Sequence, residues 1–220
     1  AIAICGYHGW HDWYLSANLN RDQLKAHHLS GLEPVGVPSG LAGITHAFQY
    51  NDFAGLEKIV SENSLAAIKM EVMRNYEPKD NFLQKVRELA TKHNIALIFD
   101  ECSSGFRETC GGLYKKFNVE PDIIVYGKTL ANGYALNAVC GRRSVMDAAQ
   151  KTFISSTFWT ERAGPVAALE ALNQMEKINS FETVPKVGAT IKDNWKRISE
   201  SNNVEMVITG TDSIPVFSFQ

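Results

Sequence analysis

At 220 residues, 45% hydrophobic and 21% charged, with a formal net charge of −2, the chain has room for one substantial core, or one large domain and part of another. So even a charge balance gives no electrostatic reason to expect nucleic acid or an acidic membrane as partner, and no run approaches the roughly 18 apolar residues of a membrane span. Cys5, Cys102, Cys110 and Cys140 are scattered without metal-ligand or redox spacing, which points to a reduced, cytoplasmic setting.

In chain order, "AIAIC" (1–5) reads as a strand already under way, and the segment 16–50 is irregular, rich in Gly, Pro, His and Ser. "DFAGLEKIVSEN" (52–63) predicts a helix capped by Asp52, with Phe53, Leu56, Ile59 and Val60 on one face. "LAAIKM" (65–70) predicts a strand. "DNFLQKVRELATKHN" (80–94) predicts a second helix, with Asp80 as cap and Phe82, Val86 and Leu89 inward. Strands are expected again at "IALIFD" (95–100), "DIIVY" (122–126) and "LNAVCG" (136–141), all near-continuously apolar as in a parallel sheet covered on both faces. The alternation argues for an α/β fold, a mostly parallel sheet with helices on both faces. After residue 160 come two consecutive helices, 162–178 and 181–202, the second interrupted near Pro185 and Gly188, and a hairpin-like unit at 204–219. The expected division is a large domain over 1–180 and, over 181–220, a linker helix and the start of a smaller domain. "IPVFSFQ" reads as a strand awaiting a partner, so a piece of a longer protein is expected.

The question of chemistry centres on "PDIIVYGKTLANGYALNAV" (121–139), where Lys128 stands at the point where an apolar strand runs out. Such an amine is a solvated strand end, a phosphate ligand or a reactive nucleophile. A phosphate loop ending in Gly127-Lys128-Thr129 needs a glycine five residues earlier, and that position is Asp122. "IALIFDECSSGF" places Asp100 and Glu101 at the end of another strand, where open α/β sheets bind ligands. A lysine that forms a Schiff base with pyridoxal phosphate, and a carboxylate that keeps the pyridine ring protonated, are the two groups such chemistry requires. Asp100 and Lys128 suit that arrangement, with "GGLYKKFNV" between them.

"YHGWHD", "IALIFDECSSGFR", "PDIIVYGKTLANGYALNAV" and "STFWTERAGPVAALEAL" occur in this order and at suitable spacing. Together, over roughly residues 1–180, they resemble the class III pyridoxal-phosphate aminotransferases, including the glutamate-1-semialdehyde aminomutase branch. The resemblance implies the fold-type I architecture, pyridoxal 5′-phosphate as cofactor, and amino transfer between an amino donor and a keto or aldehyde acceptor. A 2,1-aminomutase is the alternative within the family, and a non-catalytic α/β module the alternative outside it. By position, Lys128 becomes the Schiff-base lysine, Asp100 the partner of the pyridine nitrogen and Tyr7 the stacking aromatic. Cys102 takes the place of a Val against the ring's other face. Thr157 matches the residue that reaches the phosphate of a neighbouring subunit's cofactor, which implies a homodimer with shared active sites. Glu71 and Glu101 are supporting acids, although Val72 replaces the Pro usual after the first. The family's Gly-Ser or Gly-Thr phosphate loop lies upstream of "YHG", and this sequence contains none, so weak cofactor binding by this chain alone is expected.

His8 and His11 are spaced like a metal pair, but no third and fourth ligand follow. No metal is expected, and both are assigned to packing near the cofactor or substrate mouth. Trp10, Trp13 and Tyr14 read as core or interface aromatics, and His27 and His28 as solvated. Arg107 is either a surface ion-pair residue or a substrate-side cation.

Overall fold

The computed structural model describes residues 1–19, 23–26, 32–156, 158 and 160–219. The chain packs as two compact units: residues 1–71, 78–100 and 119–123 form the first, and residues 72–77, 101–118 and 124–220 the second.

The first unit carries strands β1 (Ile2–Cys5), β2 (Thr45–Ala47), β3 (Ala67–Glu71) and β4 (Ala96–Asp100), with helices α1 (Asp12–Leu15), α2 (Phe53–Glu62) and α3 (Phe82–Lys92). β1 pairs with β2 on one side and β3 on the other, and β3 pairs with β4, all in parallel. Ile4, Ile68, Met70, Leu97 and Phe99 are fully buried, which accounts for the unbroken apolar runs. α2 begins as its sequence dictates: Asp52 Oδ1 accepts the Gly55 N–H at 2.9 Å, one of the donors a helix start leaves open. Its Leu56 is fully buried, a burial that contributes about 2 kcal/mol.

α3 departs from expectation at its start. The helix begins at Phe82, so the cap position falls on Asn81, whose side chain makes no cap bond, and Asp80 lies one residue further out. Both have positive φ (50° and 57°), a conformation that short polar residues tolerate, so this helix entry is set by backbone geometry. The apolar face is as read: Phe82, Val86 and Leu89 are buried, with Leu83 and Ala90 beside them. The segment 16–50 also contains more order than its composition suggests. Among its described residues are short 3₁₀ turns and β2, whose three residues form a strand because β1 supplies the ladder.

Strands β5 (Ile123–Tyr126) and β6 (Ala138–Gly141) complete a mostly parallel six-stranded sheet in the order β2-β1-β3-β4-β5-β6. β6 is the last strand of that order, and Val139, Cys140 and Gly141 are exposed, so the expected cover on both faces does not hold there. The second unit continues with α4 (Arg143–Met146), α5 (Ala163–Lys177) and α6 (Ser180–Ser201), then the antiparallel pair β7 (Met206–Thr209) and β8 (Val216–Phe219). The hairpin is as read. α6, however, runs unbroken through Pro185 and Gly188. Pro185 lies only five residues into the helix and removes one backbone bond there. Gly188 is buried where the helix meets the loop before β8: a Cβ there would stand 1.5 Å from the Asp212 carbonyl oxygen. The glycine marks a close approach, not a break.

Candidate functional site

The strand order reverses at β1, which has β2 on one side and β3 on the other. Such a reversal opens a crevice at the carboxyl ends of parallel strands. Tyr7 and His8 follow β1, Glu71 ends β3 and Asp100 ends β4, with Glu71 and Asp100 register partners. Four of the residues singled out in the sequence therefore meet in the first unit.

The Asp100 side chain is 9% exposed and its Oδ2 faces two basic groups. His8 Nδ1 lies 3.0 Å away and Lys69 Nζ 3.2 Å. A carboxylate this deep requires such pairing. The fully buried His8 ring also places Nε2 3.1 Å from the Cys5 carbonyl. That carbonyl can only accept, and which ring nitrogen donates is set by the tautomer. His8 is thus held between Asp100 and the Cys5 carbonyl.

Lys69 was missed in the sequence, although a cation inside the run "AAIKME" was a signal. It is two residues before Glu71 and hence on the same strand face, where two acids stand side by side in register. Its ammonium also lies 5.4 Å from the Trp13 ring centre. The Tyr7 N–H donates to Glu71 Oε2 at 3.3 Å. Gly6 makes this turn possible, with φ of 107° and no space for a Cβ, which would lie 2.6 Å from Glu71 Oε2. The Tyr7 ring meets Tyr14 and Trp10 edge to face, and Tyr14 donates to the Gly6 carbonyl at 2.9 Å. Tyr14 is core, as read; Trp10 is 62% exposed. Burial, with the charge of Glu71 adding, pushes the neighbouring Cys5 thiol well up, so it stays protonated.

The second unit holds Glu101, Cys102 and Lys128. Glu101 is fully buried: it accepts the Tyr114 N–H at 3.0 Å and the Ser104 hydroxyl. Cys102 Sγ borders Gly127, where a Cβ would lie 3.4 Å from the sulfur. Lys128 follows β5 in an exposed position and has φ of 44°. For a long unbranched residue that is a costly conformation, of order 1–3 kcal/mol, and such strain gathers at functional sites. It is held by a tight turn, with Leu130 N–H to the Gly127 carbonyl at 3.0 Å and Asn132 N–H to the Lys128 carbonyl at 3.1 Å. Leu130 and Ala131 anchor that turn in a core with Tyr126 and Ala168. The Lys128 amine donates to Ser103 Oγ at 2.7 Å.

Asp122, which displaced the phosphate-loop glycine, is structural: its Oδ2 accepts the Leu97 N–H and Arg87, each at 2.8 Å. Arg107 Nε donates to the Ser103 carbonyl at 2.5 Å. Thr157, and with it the cross-subunit phosphate contact, lies outside the described residues, as do His27 and His28.

The family profile for aminotransferase class-III matches residues 5–214. The chain belongs to the class III aminotransferases. Among its class III relatives is a 3-aminobutyryl-CoA aminotransferase of Cloacimonas acidaminovorans, 34% identical, with an alignment covering 100% of this chain and 51% of the relative. Another is a glutamate-1-semialdehyde 2,1-aminomutase of Nitrosopumilus maritimus, 32% identical over 80% of this chain and 42% of the relative. The chain spans about half the length of the curated relatives it matches. Its fold matches an omega-transaminase from Sphaerobacter thermophilus at a TM-score of 0.85 and 24% identity, over 100% of this chain and 53% of that one. The fold is therefore the fold-type I architecture that the class III resemblance implied.

Proposed function

We propose that the chain forms the catalytic part of a pyridoxal-5′-phosphate-dependent aminotransferase, which moves an amino group between an amino donor and a keto or aldehyde acceptor. The observation that carries this reading is Lys128: an exposed amine at a strand end, on a strained backbone that two turn bonds and a buried anchor over-determine. A merely solvated lysine needs none of this.

The residues present fit the cofactor by the chemistry of their donors. Asp100 offers an anionic, buried carboxylate of the kind a pyridinium nitrogen needs, and His8 and Lys69 fix its position. When bound, pyridoxal phosphate supplies an aldehyde and an electron-accepting ring. Lys128 is the amine that engages the aldehyde and, when free, moves a proton at the substrate carbon. Tyr7 and Cys102 cover the ring faces, Glu71 holds the Tyr7 backbone, and Glu101 fixes the turn after Asp100. Residues 1–180 supply the cofactor domain, and 181–220 a linker helix and the start of a smaller domain. The working enzyme is a cytoplasmic homodimer in which Thr157 reaches the partner's cofactor phosphate; among the described residues, no helix is long and apolar enough to cross a membrane.

Transfer between two molecules is favoured over a mutase reaction because the aminotransferase relative is 34% identical over 100% of this chain, whereas a mutase that aligns over 97% of it is 29% identical. A panel of amino donors with separate keto acceptors tests this in the full-length protein. The expected result is a new keto acid from the donor, abolished by Lys128→Ala. A rate unchanged by Lys128→Ala overturns the assignment, and rearrangement of one substrate without consumption of donor or acceptor assigns the mutase.

A further inference from the structure

The hydrogen bond between Lys128 and Ser103 is made by a residue to which the reading above gives no role. We propose that Ser103 is a positioning residue for Lys128, its hydroxyl holding the lysine amine in one place whenever that amine carries no carbonyl partner. The proposal rests on the assignment of Lys128 as the carbonyl-binding amine.

Both ends of this bond stand on rigid bases. Ser103 lies in the turn after β4, which is pinned on each side. Before it, buried Glu101 accepts from Tyr114 N–H and Ser104, and the Glu101 carbonyl accepts the Gly105 N–H at 2.8 Å. After it, Arg107 Nε donates to the carbonyl of Ser103 itself at 2.5 Å. The lysine backbone is fixed by its own turn bonds and by the buried Leu130 and Ala131. What remains free between them is only the four-carbon stem, a side chain with about 2 kcal/mol of rotamer entropy. An exposed lysine without a fixed acceptor samples many positions. This one has a fixed acceptor, a placed hydroxyl 2.7 Å from its amine.

The chemistry suits a resting place. A lysine ammonium has three N–H donors and no acceptor, and a serine oxygen can accept from it. The neutral amine can keep donating one N–H to Ser103, which leaves its lone pair directed elsewhere. Alternatively the hydroxyl donates to that lone pair and blocks it. In the second arrangement the amine must leave Ser103 to attack a small carbonyl arriving from solvent, and in the first it can attack only along the direction that the Ser103 bond leaves open. Serine suits this work because its single short hydroxyl makes a bond that holds the amine and can still be broken in each cycle.

The test is reductive methylation of the folded chain with formaldehyde and cyanoborohydride, followed by peptide mapping, without cofactor. Methylation at Lys128 is read relative to Lys58, an exposed lysine of the first unit whose side chain is 72% exposed. Ser103→Ala should raise relative labelling of Lys128 about threefold, the low end of what an exposed hydrogen bond contributes. Ser103→Thr keeps the hydroxyl and should label like the unchanged chain. A purely structural effect of position 103 would not separate these two variants at equal melting temperature. Should the alanine variant fail to fold, Ser103→Gly removes the same group and takes its place. Equal labelling of Lys128 with and without the hydroxyl, or a threonine variant that behaves like alanine, overturns the proposal. Because no cofactor takes part, a failed donor–acceptor assay would sink the aminotransferase reading and leave this result standing.

Discussion

Glu101 offers a stability test whose size follows from its partners. Its side chain is fully buried and accepts from the Tyr114 N–H and the Ser104 hydroxyl. Glu101→Ala strips both donors of their acceptor and leaves them in a space water does not reach. A hydrogen bond to a charged group is worth about 1.5–3 kcal/mol, and a buried donor left bare costs about 1–3 kcal/mol. The two losses overlap, so a total of about 3–4 kcal/mol is expected. Glu101→Gln keeps an oxygen for Tyr114 N–H and turns an amide donor toward Ser104, whose oxygen can accept. It should cost about 1–1.5 kcal/mol, the difference between charged and neutral bonds. For a chain of this length each kcal/mol moves the melting temperature by about 2–4 °C, so Ala should lower it by roughly 6–15 °C and Gln by a third of that. Differential scanning calorimetry of the three proteins measures both. An alanine variant within 2 °C of the unchanged chain, or a glutamine variant worse than alanine, would refute the claim that these two bonds hold the turn after Asp100.

Glu108 predicts a pH dependence. Burial pushes its carboxyl up, but hydrogen bonds from Lys116 and from the side chain and backbone of Ser213, with the Lys116 charge, outweigh burial and hold it below the ordinary range. Stability from this group is therefore present above the unfolded carboxyl pKa of about 4.3 and is lost as pH falls through the depressed folded value. Glu108→Gln should lower the melting temperature at pH 7, and the gap should close as pH falls through the depressed folded value; a gap that persists in acid contradicts the ion-pair account. Gly188→Ala should destabilise, although alanine is the better helix former by about 1 kcal/mol. The added Cβ meets the Asp212 carbonyl, and overpacking of that kind costs about 1–3 kcal/mol. A urea midpoint equal to or above that of the unchanged chain would show that α6 and the loop before β8 do not touch as described.

Much of the first unit was legible because its physics is local. Apolar runs marked β1, β3 and β4, and Asp52 and the 3.6-residue period marked α2. What could not be read depended on neighbours distant in sequence. β2 is a strand only because β1 pairs with it, and α6 survives Pro185 because the loss falls near its start. The start of α3 was misplaced because positive φ at Asp80 and Asn81 leaves no mark in composition. Among the candidate site residues, Asp100 and Lys128 stood out as charges ending apolar strands. Lys69 was passed over as part of an apolar run, since its purpose appears only once Glu71 and Asp100 are set side by side. Ser103 gave no signal at all: a serine in a turn is ordinary until a lysine 25 residues on is found donating to it.

The most direct test of the central claim is to add pyridoxal phosphate to the full-length protein, reduce with borohydride and map the labelled peptide. The account predicts one pyridoxyl group, on Lys128, lost in Lys128→Ala while other lysines stay unlabelled. Label spread over surface lysines, or none, would contradict it and leave a cofactor-free α/β scaffold as the better description.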